Sequence, residues 1–343
     1  MADLLQPMQD YYTRTFSQRR DARIHDMALL SRGWESDIYA FRVDWNENGH
    51  PQQEDLVLRV YPGGDAYTKS ANEYNTLAFL HRLGYPVPRV DRLERDASPF
   101  GMPFLIMERI HGQPLWQTMF RESAERRQKL VTLFCGLLAR LHALDWRAAV
   151  ENPREFEPDG DQAIIDRILG SWQRYLDALP GMLPGFAAPF QWLLDHRHTV
   201  VSRQASLVHM DFHPENLLLR ADDTAVVIDW TNFDITDYRF DLAWTVVLFC
   251  SVEGLQRREP LVRAYERQRG QPVEGLEFFE VAACLRRLFS VLYSLSAGAS
   301  QMGMRPGAEE DMRRHAPHLR LVYEMLQQRT GLAIPEVDEF LIG

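Results

Sequence analysis

The chain has 343 residues, of which 45% are hydrophobic and 25% are charged, a composition typical of a folded globular protein and not of a disordered one. At this length, two lobes or domains are expected instead of one compact core. Because 38 basic residues stand against 48 acidic ones, the net charge is −10, which argues against nucleic acid as the main partner.

The cysteine pattern and the apolar runs bear on the compartment. Cys135, Cys250 and Cys284 form no CxxC pair and lie in apolar, helix-like segments, so they are interpreted as small core residues of a protein in a reducing compartment. The N-terminal sequence lacks the apolar run of a signal peptide, and the longest apolar run, near residues 242–252, is too short to cross a bilayer. We therefore expect a cytoplasmic protein with no membrane partner.

The first third of the chain predicts a helix and then a strand-rich lobe. After an N-terminal helix within residues 1–24, DIYAFRVDW and LVLRVY alternate around the turn-rich NENGHPQQ, which indicates a hairpin. A helix over residues 65–84 follows, with stop signals at Gly84 and Pro86. VPRVDRLE and MPFLIMERI then complete a sheet of about five strands, so residues 25–107 are predicted to form the small lobe.

The rest of the chain has the pattern of long amphipathic helices. Gly112 and Pro114 mark a boundary, so residues 108–113 are predicted to be a hinge. Residues 114–343 are predicted to form helices interrupted by one short cluster of strands. The predicted fold class is α+β, with a small antiparallel-sheet lobe and a larger, mostly helical lobe.

That strand cluster carries polar residues that need an explanation. LVHMDFHPENLLL is apolar apart from groups such as His209, Asp211 and Asn216, and buried polar groups are costly unless they are paired or bound. Alternation predicts a strand that Pro214 ends. LLLR and AVVIDW predict a second hairpin, which is expected to bring Asn216 near Asp229. Oxygen donors of this kind suit magnesium, whereas a lone Asp would more often cap nearby amides.

The combined pattern, HMDFHPEN followed by IDW, resembles the catalytic and metal-binding segments of aminoglycoside phosphotransferase-like enzymes in the protein-kinase-like superfamily. The resemblance implies a bilobal protein-kinase-like fold. It also implies that Asp211 is the base or orienter of the acceptor hydroxyl, that Asn216 and Asp229 bind Mg²⁺, and that His209 braces the loop by hydrogen bonds. For His213, a phosphate contact and a structural role both stay open.

The small lobe provides a second test of the resemblance. In LVLRVY, Arg59 is a charge between apolar neighbours, and Glu73 falls on the buried stripe of the following helix. An unpaired buried charge would be costly, so the two are predicted to pair. The resemblance assigns this pair to the grip on the nucleotide phosphates, although a purely structural ion pair remains an alternative.

The resemblance also implies a nucleotide pocket. In SRGWESDIY, Gly33, Ser36 and backbone amides would cradle phosphates, although the segment has one glycine where protein kinases have three. In PFLIMERIHG, Met107 would line the back of the adenine pocket, and the backbones of Glu108 and Ile110 would pair with the base. An ordinary buried strand would fit that segment equally well.

The spacing after Asp229 bears on the phosphate acceptor. Asp241, which resembles the large-lobe anchor, follows after 12 positions with no Ala-Pro-Glu motif, so no room remains for a peptide-docking platform. Met210 occupies the place of the arginine that reads a phosphorylated activation loop. The acceptor is therefore expected to be a small molecule with a hydroxyl. The acidic segment 151–161 either rims a pocket for a cationic substrate or is a solvated loop.

Together these patterns predict an ATP- or GTP- and Mg²⁺-dependent phosphotransferase that acts on a hydroxyl of an antibiotic, sugar or amino alcohol. Two alternatives stay open. One is a nucleotide-binding pseudoenzyme that serves as an interaction module. The other is a metal hydrolase in which His209, Asp211 and His213 bind a transition metal. A protein kinase is disfavoured by the missing activation segment.

Overall fold

The structure, a computed structural model, describes residues 4–32, 36–96, 98–178, 183–298, 310, 312–313 and 316–342. They form two compact units. The first comprises the described residues up to Gly112 together with residues 218–231, and the second comprises residues 113–217, 232–298 and the described residues from 310 onward. The helices are α1 (Leu5–Thr15), α2 (Ala66–Arg82), α3 (Leu115–Arg121), α4 (Ala124–His142), α5 (Ala163–Ala178), α6 (Ala187–His196), α7 (Tyr238–Glu253), α8 (Arg258–Arg269), α9 (Leu276–Ala297), α10 (Leu319–Thr330) and α11 (Pro335–Ile342). The strands are β1 (Arg20–Arg32), β2 (Asp37–Glu47), β3 (His50–Val60), β4 (Val90–Glu94), β5 (Phe104–Glu108), β6 (Gln113–Pro114), β7 (Ser206–Val208), β8 (Leu217–Leu219), β9 (Ala225–Val227) and β10 (Asp234–Thr236).

The first unit is built on a five-stranded antiparallel sheet in the order β1-β2-β3-β5-β4. The alternation predicted for LVLRVY is present, since Leu56, Leu58 and Val60 lie in the hydrophobic core of this unit. The helix α2 ends at Arg82, just before Gly84 adopts a φ of +70°. That conformation suits glycine and terminates the helix as the sequence predicts.

The N-terminal helix is shorter than the segment 1–24. The helix α1 ends at Thr15, and β1 begins at Arg20 as an edge strand. The side chain of Gln9 in α1 donates to the carbonyl of Ala22 (2.8 Å) and accepts from the N–H of Ile24 (2.7 Å). The edge of the sheet is thus covered by a helix, which satisfies backbone groups that would otherwise be exposed.

The hairpin β8–β9 clusters with the first unit, although residues 218–231 were predicted within the large lobe. Three contacts explain the difference. The N–H of Val227 donates to the carbonyl of Pro86 (2.8 Å), the Trp230 ring packs edge-on against Tyr85, and Arg220 pairs with Glu108 (3.0 Å). Asp229 and Trp230, which follow β9, therefore belong to the same unit as Arg59.

The second unit is mostly helical. The long apolar helices α7 and α9 pack through rings such as Phe240 and Phe279, whose centroids are 4.8 Å apart. The strands β7 and β10 pair antiparallel. Within the described ranges, no helix is long and apolar enough to cross a membrane.

The strand β7 ends at Val208, earlier than the alternation in SLVHMDF predicts. His209, Met210 and Asp211 therefore lie beyond the strand. Met210 has a φ of +61°, a left-handed conformation that a non-glycine residue adopts only when its surroundings hold it there. The continuation of the chain is consequently a turn instead of a strand.

Candidate functional site

The guanidinium of Arg59 is the centre of a buried polar cluster in the first unit. Nη1 donates to Glu73 (2.7 Å), Nη2 donates to Asp229 (2.8 Å) and Nε donates to the hydroxyl of Ser36 (2.9 Å). Arg59 is only 7% exposed, and Glu73 and Ser36 are each 1% exposed. The predicted pairing of Arg59 with Glu73 is thus present, and two further partners each take one N–H group of the planar guanidinium.

The electrostatics of this cluster keep the arginine charged. Burial by itself would lower the pKa of Arg59, but the carboxylates of Glu73 and Asp229 outweigh it and raise that pKa well above its usual value. The hydroxyl of Tyr61 donates to Glu73, and burial together with this carboxylate raises the pKa of Tyr61 well above its usual value. The tyrosine therefore stays neutral and acts as a hydrogen-bond donor.

Asp229 has one occupied and one available carboxylate oxygen. Its Oδ1 accepts from Arg59 and from the hydroxyl of Thr231 (3.4 Å), whereas no described residue donates to Oδ2. The side chain is 38% exposed. Asp229 also has a φ of +66°, a left-handed conformation that aspartate adopts more readily than most residues.

The residues predicted for the nucleotide pocket differ in burial and in the backbone groups that are available for hydrogen bonds. Met107 is buried in β5. The N–H of Glu108 already donates to the carbonyl of Arg89 (2.8 Å) and is therefore not available to a base. The backbone of Ile110 has no backbone partner among the described residues. Gly33 lies outside the described residues.

In the second unit, Asp241 fixes the turn that precedes Asp211. Its carboxylate accepts the N–H of His209 (2.7 Å) and the N–H of Met210 (2.9 Å). Asp241 is fully buried, and the His142 ring lies 3.2 Å from the same carboxylate. Two backbone amides bound to one carboxylate explain how Met210 is held in its left-handed conformation.

Two further residues of α7, which the sequence did not single out, add hydrogen bonds to the same turn that Asp241 holds. The indole Nε1 of Trp244 donates to Oδ1 of Asp211 (2.8 Å), and the hydroxyl of Thr245 donates to the carbonyl of Phe212 (2.7 Å). Because Asp241, Trp244 and Thr245 are spaced i, i+3 and i+4, they share one face of α7. Three polar or hydrogen-bonding side chains at this spacing in an otherwise apolar helix were the sequence signal that could have identified Trp244 and Thr245.

Asp211 is held as a carboxylate. Burial would raise its pKa, but His213, His209 and the indole of Trp244 together hold the pKa of Asp211 well below its usual range. His213 Nε2 lies 3.6 Å from Oδ2 of Asp211. His209 is fully buried. His213 contacts Asp211 directly.

Asn216 is oriented by the same loop. Its amide Nδ2 donates to the backbone carbonyl of Asp211 (3.0 Å) and to Oδ2 of that residue (3.3 Å). The amide nitrogen is therefore occupied, and no described residue donates to the side-chain oxygen. Asn216 is 8% exposed.

Asn216 in the second unit and Asp229 in the first each offer a hard side-chain oxygen of the kind that Mg²⁺ prefers. Across the described ranges, no group of three or more His, Cys, Asp or Glu side chains is arranged to hold a metal ion.

Comparison with known protein families identifies the family of this chain. Residues 26–278 match the model of a family described as "Phosphotransferase enzyme family". The chain belongs to this family. The predicted resemblance to aminoglycoside phosphotransferase-like proteins is thereby confirmed at the level of this family.

Solved structures confirm the fold class. A candidate aminoglycoside phosphotransferase from Ralstonia eutropha superposes with a TM-score of 0.63 at 17% identity, covering 94% of this chain and 98% of that one. APH(2")-IIIa in complex with GDP and kanamycin gives 0.58 at 18% identity, with 94% and 98% covered. A thermostable mutant of APH(4)-Ia with ADP and hygromycin B gives 0.55 at 17% identity, with 91% and 97% covered.

Sequence relatives among curated proteins are longer. Acyl-CoA dehydrogenase family member 11 of Homo sapiens is 25% identical over 241 residues, which cover 62% of this chain and 30% of that protein. The Pongo abelii protein of the same name is 26% identical over 200 residues, covering 54% and 24%. The chain thus matches between about a quarter and a third of the length of these relatives.

Proposed function

We propose that this family member is an ATP- or GTP- and Mg²⁺-dependent phosphotransferase that moves the γ-phosphate to a hydroxyl of a small molecule. The observation that carries the proposal is the Arg59 guanidinium held by both Glu73 and Asp229. A strand cation fixed by a helix carboxylate, with a partly exposed aspartate beside it, is similar to the arrangement that positions nucleotide phosphates in protein kinases.

On the nucleotide side, Arg59 steadies the phosphates with the N–H groups that Ser36, Glu73 and Asp229 leave unused. Ser36 acts through Arg59, since its buried hydroxyl accepts from Nε. Gly33 and neighbouring amides contribute to the phosphate cradle. Met107, the carbonyl of Glu108 and the backbone of Ile110 face the base.

On the acceptor side, Asp211 receives a hydrogen bond from the acceptor hydroxyl. Because its pKa lies well below the usual range, Asp211 is ionised at neutral pH and acts first as an orienter of the hydroxyl. It takes the proton only as the oxygen–phosphorus bond forms and the oxygen becomes acidic. His209 braces this loop from its buried position.

We assign the magnesium ligands as the side-chain oxygen of Asn216 and Oδ2 of Asp229. When bound, the ion neutralises charge on the transferred phosphoryl group. The protein residues supply its orientation: Asp211 fixes Asn216, and Arg59 fixes Asp229 through Oδ1. A cytoplasmic location and the absence of nucleic-acid partners stay predictions.

The test follows nucleotide turnover and phosphate transfer with Mg²⁺ across a panel of sugars, amino alcohols, hydroxy acids and antibiotics. Asp229→Ala is expected to lower turnover by at least about 100-fold, whereas Asp195→Ala, an exposed aspartate in α6, is expected to leave it unchanged. Nucleotide binding without turnover on any acceptor would favour the pseudoenzyme. Stoichiometric zinc in the purified protein, with hydrolysis of an ester or amide, would favour the hydrolase.

A further inference from the structure

We propose that the acceptor carries an anionic group, a carboxylate or a phosphate, which is bound by arginines in a cavity of the second unit. This inference rests on the proposed phosphotransferase function and names its substrate class. The cavity has a volume of about 350 Å³, which is within the range of small-molecule sites.

The charge of the cavity wall points to an anion. Among the described residues, three guanidinium groups line it, those of Arg167, Arg174 and Arg286, against one carboxylate, that of Asp234. The remaining wall is partly apolar, with Phe156 and other side chains such as Ile168 and Trp172. An excess of guanidinium is notable in a chain whose net charge is −10, and planar guanidinium groups match carboxylate and phosphate oxygens.

Two of these arginines, Arg167 and Arg174, form no ion pair with a carboxylate of the residues that the structure describes. The guanidinium of Arg167 instead donates to the backbone carbonyls of Glu155 (3.3 Å) and Ile235 (2.5 Å). Burial lowers the pKa of Arg167, and Asp234 offsets only part of this effect. A bound anion would supply the missing compensation.

The cavity adjoins the loop of Asp211. Met210, the residue before Asp211, forms part of its wall. Arg286 donates to the carbonyl of Met210 (2.6 Å), and its guanidinium lies 4.1 Å from the ring centroid of Trp244, whose indole donates to Asp211. Arg286 thus contacts both the residue before Asp211 and the tryptophan that donates to Asp211, so an acceptor held by the arginines is expected to reach this carboxylate with its hydroxyl.

The acidic segment 151–161 does not supply a cation site here. Of this segment, Phe156 is the residue that lines the cavity. Three of its carboxylates contact neighbouring side chains: Glu155 with Asn152 at 2.9 Å, Glu157 with Arg147 at 3.7 Å and Asp161 with Arg203 at 2.6 Å. These contacts therefore favour a solvated loop over a rim that binds a cationic substrate.

The test measures binding to the full chain by calorimetry, with matched pairs of acceptors. The anionic probes are 3-phenyllactate and glycerol 3-phosphate; their neutral counterparts are 3-phenyllactamide and glycerol, and kanamycin is the cationic probe. We expect at least one anionic probe to bind about tenfold or more tightly than its neutral counterpart. Arg167→Gln/Arg174→Gln is expected to remove this preference, and Arg263→Gln, on an exposed face of α8, is expected to keep it.

The outcomes separate this inference from the proposed function. Equal or tighter binding of the neutral or cationic probes, no measurable binding of either anion, or a preference that survives in the double variant would overturn the anionic acceptor. If the double variant does not fold, Arg174→Gln alone, at an exposed side chain, must weaken the preference or the inference fails. Phosphorylation of kanamycin with no anion binding would leave the phosphotransferase standing. Anion binding without nucleotide turnover on any acceptor would count against the phosphotransferase alone.

Discussion

The Arg59 guanidinium joins Glu73 of α2 to Asp229, with Nη1 2.7 Å from Glu73 Oε1 and Nη2 2.8 Å from Asp229 Oδ1. The two carboxylates come from segments that are distant along the chain, at 14 and 170 residues from Arg59. Because a guanidinium offers several N–H groups in one plane, one residue can hold both.

Arg59→Lys is expected to lower kcat/KM by about 10- to 100-fold and the free energy of unfolding by about 1–3 kcal/mol, because an ammonium keeps the charge but cannot hold three acceptors in one plane. Urea unfolding and ADP release measure the two effects. Arg42→Lys, at a half-exposed ion pair of β2 with Asp55, is the control. Unchanged turnover in Arg59→Lys would show that the planar fork is unnecessary.

Asp241→Asn is expected to reduce the free energy of unfolding by about 3 kcal/mol, since an amide group would turn a donor toward the N–H groups of His209 and Met210. Chemical denaturation checks this value, with Asp195→Asn as an exposed control. A loss below about 0.5 kcal/mol would mean that the two hydrogen bonds accepted by Asp241 contribute little to stability.

Trp244→Phe removes the indole N–H that positions Asp211 but keeps an aromatic ring for Arg286 to stack on. We expect kcat to fall by about tenfold while the KM for nucleotide stays within about twofold. Trp192→Phe, whose ring stacks on His196 in α6, is the comparison. A rise in nucleotide KM with constant kcat would argue against a positioning role for Trp244.

The buried thiols give a prediction about pH. Burial raises the pKa of Cys135 and of Cys250 to about 12, above the ordinary value of about 8.5. The native state therefore keeps these protons while the unfolded state releases them, so their contribution to stability is complete below about pH 8.5 and is lost as pH rises toward 12.

Iodoacetamide labelling at pH 8 measures the accessibility of these thiols. Cys135, Cys250 and Cys284 are buried and free, so native protein is expected to resist labelling and urea-unfolded protein to react at all three. Stability followed from pH 8 to pH 11 should decline. Rapid labelling of native protein would contradict the core interpretation of these cysteines.

Several features followed from local pattern alone. Alternation in LVLRVY placed Arg59 among apolar neighbours, and helical spacing placed Glu73 on a buried stripe, so their pairing followed from the cost of isolated buried charge. Local pattern failed, however, where a distant residue determines the backbone conformation. SLVHMDF alternates like a strand through Phe212, yet β7 ends at Val208 because Asp241, 31 residues or more away, takes the two amides.

The sequence by itself determined the family, the α+β class and the residue types available for phosphoryl transfer, because these depend on short motifs and on periodicity. Only the tertiary structure decided which groups Arg59 holds besides Glu73, that Trp244 orients Asp211, and that Arg167 and Arg286 line one cavity. The physical reason is that hydrogen bonds and charge compensation depend on distances in space, and those distances are set by packing between segments that no local pattern relates.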